Sequence, residues 1–206
     1  MEQSTDTLNL AAFMRETKMV GPGVRDALWV QGCSIRCKAC ANQAYLPHVP
    51  RALVTVQRIL DHLYLRRAKI DGVSILGGEP TEQAEAVGRL LCGVKSLGLS
   101  TVVFTGRIYE ELLFDQRHAR LLKYTDLLID GPFMLSKQDR TLHWRGSSNQ
   151  RLIFLNNVWN DIESCFSGAN GEIVLSPNRS IYHGVGAQSI CNRIGKSTMS
   201  ESDSGC

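Results

Sequence analysis

Short apolar runs alternate along the chain with stretches whose apolar positions recur every third or fourth residue, the periods of strand and helix. "ALWVQG" (27–32), "DGVSILGG" (71–78), "STVVFTG" (100–106) and "TDLLIDGPF" (125–133) read as strands. Between them, "TVQRILDHLYLRR" (55–67) sets Val56, Ile59, Leu60 and Leu63 on one helical face behind a Thr55 cap. "TEQAEAVGRLLCGVKSLG" (81–98) does the same with Ala84, Val87, Leu91 and Val94, and Gly98 marks its stop. A shorter helix is predicted near "IYEELL" (108–113). Strands that are apolar almost throughout, alternating with helices, predict a parallel sheet in an α/β fold.

Past residue 160 the pattern weakens. "NGEIVLS" (170–176) reads as a turn and one further strand, and the Ser-rich end predicts a disordered tail. The expected organisation is a core over 1–160, a C-terminal extension over 161–194 and a tail over 195–206.

Composition narrows the classes without naming one. Hydrophobic residues are 43% and charged residues 21% of 206, an ordinary globular mixture. A net charge of +3, with Lys and Arg scattered, argues against nucleic-acid binding, and Arg66, Arg67 and Lys69 read as a solvated helix face. The polar N-terminus lacks a signal peptide, and no apolar run reaches the roughly 18 residues of a membrane span, so the expected location is cytoplasmic.

Polar and glycine signals fall where the predicted strands end: the cysteines after 32, "GGEP" (77–80), "TG" (105–106) and "DG" (130–131). Sites of parallel α/β proteins lie at those ends. The densest signal is "QGCSIRCKACANQ" (31–43), with Cys33, Cys37 and Cys40 crowded together among seven cysteines. In a reducing compartment crowded thiols favour metal or catalysis over disulfides. Three readings compete. Coincident core cysteines are one, and a zinc site completed by His48 is another. The third is a four-iron cluster with three thiolates, whose fourth iron stays open unless Cys92, Cys165, Cys191 or Cys206 fills it.

The motifs then carry a resemblance. "CSIRCKAC" has the C-x3-C-x2-C spacing of the radical S-adenosylmethionine enzymes, and "GGEP" matches their second signature. With "GPGVRDALWVQGC" (21–33), "DLLIDGPF" (126–133) and "WRGSSNQR" (144–151), the stretch 8–155 resembles the anaerobic ribonucleotide reductase activating proteins, a family of glycyl radical enzyme activases. The resemblance implies a partial (β/α)6 TIM-like barrel of the radical SAM type. It implies a 4Fe-4S cluster on Cys33, Cys37 and Cys40, with S-adenosylmethionine chelated at the open iron. The implied activity is reductive cleavage of that cofactor and formation of a glycyl radical on a partner enzyme. An electron donor such as flavodoxin or ferredoxin is implied as well.

On the same basis Gly77, Gly78, Glu79 and Pro80 would hold the methionine ammonium, while Thr105 and Asp130 would contact the cofactor, or Asp130 a cation. Arg145 and Asn149 would line its pocket, and "GPG" with Arg25 would lie beside the cluster. Thr105 also reads as strand-end capping, and Asp130 as an Asx turn with Gly131. The chain departs from the pattern in having Ala39 and Ala41 around the last cysteine, so adenine packing passes to Tyr45. Those departures and the extension leave the alternative of a stand-alone radical enzyme on a peptide or small molecule; a further reading, of a different class, is a non-catalytic electron-transfer or metal-storage protein.

Overall fold

The protein is described by a computed structural model that covers residues 6–159 in full and, beyond them, the backbone of two strands. Its elements in chain order are β1 (Thr7–Thr17), β2 (Arg25–Val30), β3 (Ala52–Thr55), α1 (Val56–Arg66), β4 (Gly72–Gly77), α2 (Ala84–Ser96) and β5 (Ser100–Phe104). They continue with α3 (Tyr109–Leu113), α4 (Ala119–Lys123), β6 (Leu127–Asp130), β7 (Arg151–Phe154), β8 (Gly171–Ser176) and β9 (Arg179–Gly184). Seven strands form one sheet in the order β3-β1-β2-β4-β5-β6-β7, and β8 pairs with β9 separately.

The predicted parallel strands are present as β2, β4, β5 and β6, joined edge to edge in parallel register. The flanking strands are antiparallel: β1 on β2, β3 on β1, and β7 on β6. Among the described residues there are thus four parallel strands and not the six of the expected barrel. The reason is connection length. Parallel neighbours need a crossover, whereas β1 returns directly into β2, and β6 into β7 through a loop with only a single 3-10 turn. The extra strand near 170–176 is observed as β8, while the expected tail lies outside the described residues.

Side chains alternate across β2, with Leu28 and Val30 on one face and Ala27 and Trp29 on the other. All four helices pack on the Leu28 face, where Ile59, Leu63, Leu90, Leu91, Leu112 and Leu121 meet Ile75, Val103 and Leu128. Each such buried side chain contributes about 1.5–3 kcal/mol. The opposite face carries Trp29, Leu76, Val102, Leu127 and Ile129 in two small clusters to which no α-helix among the described residues contributes. Thr55 caps α1 by accepting the Arg58 N–H at 3.3 Å, and Gly98, at φ +75°, ends the α2 segment as predicted.

Arg25 lies at the amino ends of the strands and is fully buried. Its guanidinium donates to Ser74 Oγ, Ser100 Oγ and the carbonyls of Pro22, Val73 and Ser100, at 2.8–3.0 Å. Burial lowers its pKa, and Asp126 and Asp71 oppose that shift. The expected placement of "GPG" and Arg25 beside the cysteines is therefore corrected. β2 separates them by roughly 20 Å at the rise of an extended strand. Arg66 likewise departs from a purely solvated face: it binds the buried Asp26 at 2.7 Å and Glu16 at 2.9 Å. Replacing Arg25 by Ala leaves five acceptors, three of them buried, without their donor, and the expected cost is about 3–5 kcal/mol, or a melting temperature lower by about 10 °C.

Candidate active site

Four of the motifs read from the sequence occupy the carboxyl ends of parallel strands. The cysteine loop follows β2, Gly78–Pro80 follows β4, Thr105–Gly106 follows β5, and Asp130–Gly131 closes β6. Parallel register alone puts these four ends side by side.

The cysteine loop is tied at its base and irregular at its tip. Gly32 and Cys33 donate their N–H groups to the carbonyls of Tyr45 and Leu46, closing the loop, and Gly32 accepts from the Glu79 N–H at 2.7 Å. Gly32 has φ +99°, and a Cβ there would strike the His48 ring at 2.8 Å, so only glycine fits. Arg36 and Ala39, immediately before Cys37 and Cys40, are left-handed at φ 49° and 61°. Each such residue costs about 1–2 kcal/mol. The turn is closed by the Cys40 N–H on the Cys37 carbonyl at 3.2 Å.

The three thiols are free, Cys33 buried and the other two half-buried. Burial pushes the Cys33 and Cys40 pKa values up, while backbone N–H groups of Arg36 and Ile35 on Cys33, and of Asn42 on Cys40, pull them back. Sulfurs that are sheltered from water yet accept N–H bonds are arranged for a bound cation in place of their protons. This donor set fits an iron–sulfur cluster. Among the described residues no three His, Cys, Asp or Glu side chains close on one point as a single ion requires. Thiolates of a cube each take a different iron and share no such point. His48, the fourth ligand of the zinc reading, instead bonds Glu82 through Nε2 at 2.7 Å.

The GGEP turn is held by a carboxylate. Glu79 is 1% exposed. Its Oε1 accepts from the Thr81 N–H, the Thr81 hydroxyl and the Thr105 hydroxyl, and its Oε2 from the Gly106 N–H, all within 3.0 Å. Glu79 and Thr105 thus bind each other and join β4 to β5. Pro80 begins a 3-10 turn over Pro80–Gln83, as its fixed φ suits. The close approach allowed by Gly77 and Gly78 is to the chain itself. A Cβ would lie 2.6 Å from Val30 N at Gly77 and 2.2 Å from the Gly32 carbonyl oxygen at Gly78. Gly78→Ala is therefore expected to push the cysteine loop off the turn. Cofactor cleavage should fall by about tenfold or more while the helices keep their circular dichroism.

At the third and fourth strand ends the picture is mixed. Asp130 is fully buried, and its carboxylate accepts from the Arg151 guanidinium and the Tyr109 N–H, so it joins β6 to β7 and caps α3. Neither an Asx turn with Gly131 nor a free carboxylate for a cofactor or cation is seen; the correction follows from Arg151, the last residue of "WRGSSNQR". In that loop the Gln150 carbonyl oxygen of the side chain accepts from Gly146 and Ser147, and Asn149 donates to Pro132 at 2.7 Å. Two polar groups remain unspent. Asn149 Oδ1 is buried without a donor. Arg145 reaches only carbonyls at 3.4 Å, with its pKa lowered by burial and raised by Asp139. Tyr45 packs on the Trp29 and Leu76 cluster.

Sequence reasoning missed Glu82 and its pairing with His48, which it reads only as a zinc ligand, and also Arg107, whose Nε donates to Thr81 Oγ1 at 3.0 Å. Arg107 follows "TG" directly, so its place at a strand end was available. Nothing along the chain signals that Glu82 and His48 meet.

A sheet whose parallel ends gather three thiols beside a buried GGEP turn defines an iron–sulfur protein of the single-cluster type. The family model for the 4Fe-4S single cluster domain matches residues 19–153. The chain belongs to the anaerobic ribonucleoside-triphosphate reductase-activating protein family. It is 35% identical to the member from Vibrio cholerae over 135 residues and 36% to that from Haemophilus influenzae over 138, covering 63% of this chain and 87% of each relative. The member from Enterobacteria phage T4 is 31% identical over 137 residues, covering 64% and 85%. A slighter likeness, TM-score 0.39 at 14% identity, links 48% of the chain with 52% of the crystal structure of QueE from Escherichia coli. No helix among the described residues is long and apolar enough to cross a membrane.

Proposed function

We propose that the chain is a radical SAM activating enzyme that generates a glycyl radical on an anaerobic ribonucleoside-triphosphate reductase. The observation that carries this is the trio of free thiols on one strand-end loop, beside GGEP, in a chain of the activating-protein family. Cys33, Cys37 and Cys40 would hold a 4Fe-4S cluster, which would supply the electron for reductive cleavage of S-adenosylmethionine.

The residues of the chain bind, orient and shelter. The turn Gly77–Pro80 would hold the methionine ammonium, and Glu79 ties that turn to the cysteine loop through its N–H on the Gly32 carbonyl and to β5 through Thr105. Asn149 Oδ1 is a ready acceptor for a cofactor N–H or O–H, and the Arg145 guanidinium, without a carboxylate of its own, suits an anionic group. Asp130 acts through Arg151 and Tyr109 by fixing α3 rather than by touching the cofactor. The four parallel strands are read as the heart of a partial barrel whose helix-free face receives the partner's glycine-bearing segment. A flavodoxin or ferredoxin would supply the electron.

The test is anaerobic reconstitution with iron and sulfide, followed by incubation with S-adenosylmethionine, a reductant and a candidate reductase. The expected result is 5′-deoxyadenosine together with a glycyl doublet in the electron spin resonance of the partner. Cofactor cleavage that leaves every candidate reductase without a radical would return the stand-alone alternative.

A further inference from the structure

The cysteine loop leaves the sheet at Gln31 and returns near His48, and the fold must keep these two arms together while its tip is strained. A single carboxylate touches both. Glu82 Oε1 accepts the Ser34 N–H at 2.7 Å on the outgoing arm, one residue past Cys33. Glu82 Oε2 bonds His48 Nε2 at 2.7 Å on the returning arm. The side chain of Glu82 is 18% exposed and that of His48 51%, so the carboxylate is the sheltered member. Burial tends to raise the Glu82 pKa, yet His48 and the Ser34 N–H together hold it below its ordinary value.

The turn that carries Glu82 is itself immobilised. Glu79 fixes it to β5, and Gln83 donates to the carbonyls of Gln31 and Asn9 at 3.0 and 3.2 Å. Successive residues of one 3-10 turn thus hold the outgoing arm, Gln83 at Gln31 and Glu82 at Ser34. The opposite side of the loop is wedged by Ile35, which lies where a Cβ on Gly106 would meet it at 2.8 Å.

From this geometry we propose that Glu82 is a positioning residue that clamps the two arms of the cysteine loop to the GGEP turn, and so sets the spacing of the thiols. The proposal rests on the reading that Cys33, Cys37 and Cys40 hold the cluster. Its consequence is a loop arranged before iron arrives, because both bonds are made within the chain alone. A second consequence is electrostatic: a carboxylate beside Cys33 opposes reduction of whatever those thiols bind.

Trypsin tests the clamp in the metal-free chain, since Arg36 and Lys38 are exposed cleavage points inside the loop. Glu82→Ala should speed cleavage at these two bonds by roughly tenfold, as loss of a charge-assisted clamp implies. Glu82→Gln keeps an acceptor for Ser34 and an amide for the other His48 tautomer, and should stay within about twofold of the native rate. In the reconstituted protein Glu82→Gln should move the cluster midpoint potential upward, because one negative charge is gone. Native cleavage in Glu82→Ala, or an unmoved potential in Glu82→Gln, overturns the proposal. Should Glu82→Ala fail to fold, His48→Ala serves: roughly threefold faster cleavage supports the clamp and a native rate overturns it. A full cluster in the cysteine variants would defeat the ligand reading, whereas the metal-free cleavage rates judge the clamp by themselves.

Discussion

A chain with Ala at Cys33, Cys37 or Cys40 is expected to lose its cluster and, with it, production of 5′-deoxyadenosine by at least about 10³-fold. On the proposed ligation three thiolates would hold the cluster, so losing one would leave it too few protein ligands. None of the described neighbours replaces the missing ligand: His48 is committed to Glu82, and Glu79 to four donors of its own. Cys92, the other free cysteine of the described residues, sits within α2 and away from the strand ends. Iron and acid-labile sulfide per chain, with the visible absorption of the reconstituted protein, give the measurement. Stability should change little, because the thiols of the metal-free chain carry no core packing beyond Cys33. A variant that retains native iron and native cleavage would remove that cysteine from the site.

The second large effect is expected at Glu79. Its carboxylate is the shared acceptor of four donors from two strand ends, and all lie in a region with almost no access to water. Glu79→Ala leaves those donors unpaired and should cost about 3–4 kcal/mol, read as a melting temperature about 10 °C lower. Glu79→Gln is the more telling variant. One end of the amide must present N–H groups to donors, whichever way it turns, so one contact becomes repulsive. Loss of about 1–3 kcal/mol is expected with the fold intact. Cofactor binding should weaken beyond that loss, because the turn proposed to hold the cofactor would be displaced from β5. Calorimetric titration of S-adenosylmethionine into the reconstituted variant reads this directly. Native affinity in Glu79→Gln would leave Glu79 a purely structural residue.

Much of this architecture was legible in one dimension. The four strands read from apolar runs are β2, β4, β5 and β6, and the helices read from 3–4 spacing are α1 and α2, with Thr55 and Gly98 at the expected boundaries. These elements pack on both faces or on one whole side, so the pattern is unbroken. β1 escaped because its burial alternates irregularly and its register against β2 shifts twice. β3 escaped as a four-residue, largely exposed edge, and β7 because its half-buried residues follow a polar loop. The six-unit barrel came from the resemblance, and of it the described residues supply four parallel strands with antiparallel flanks.

By itself the order of residues determined the candidate ligands and their neighbourhood: the cysteine spacing, GGEP, "TG" and "DG", each one step beyond an apolar run. Parallel strands bring their carboxyl ends to one edge whatever lies between, so local pattern was enough. Only the tertiary structure decided which side chain answers which. Asp130 meets Arg151 across 21 residues, Thr105 meets Glu79 across 26, and Glu82 reaches back 34 to His48 and 48 to Ser34. Such pairs depend on register and crossover rather than on sequence neighbours. They turn residues that looked like cofactor contacts into the frame that holds the contacts in place.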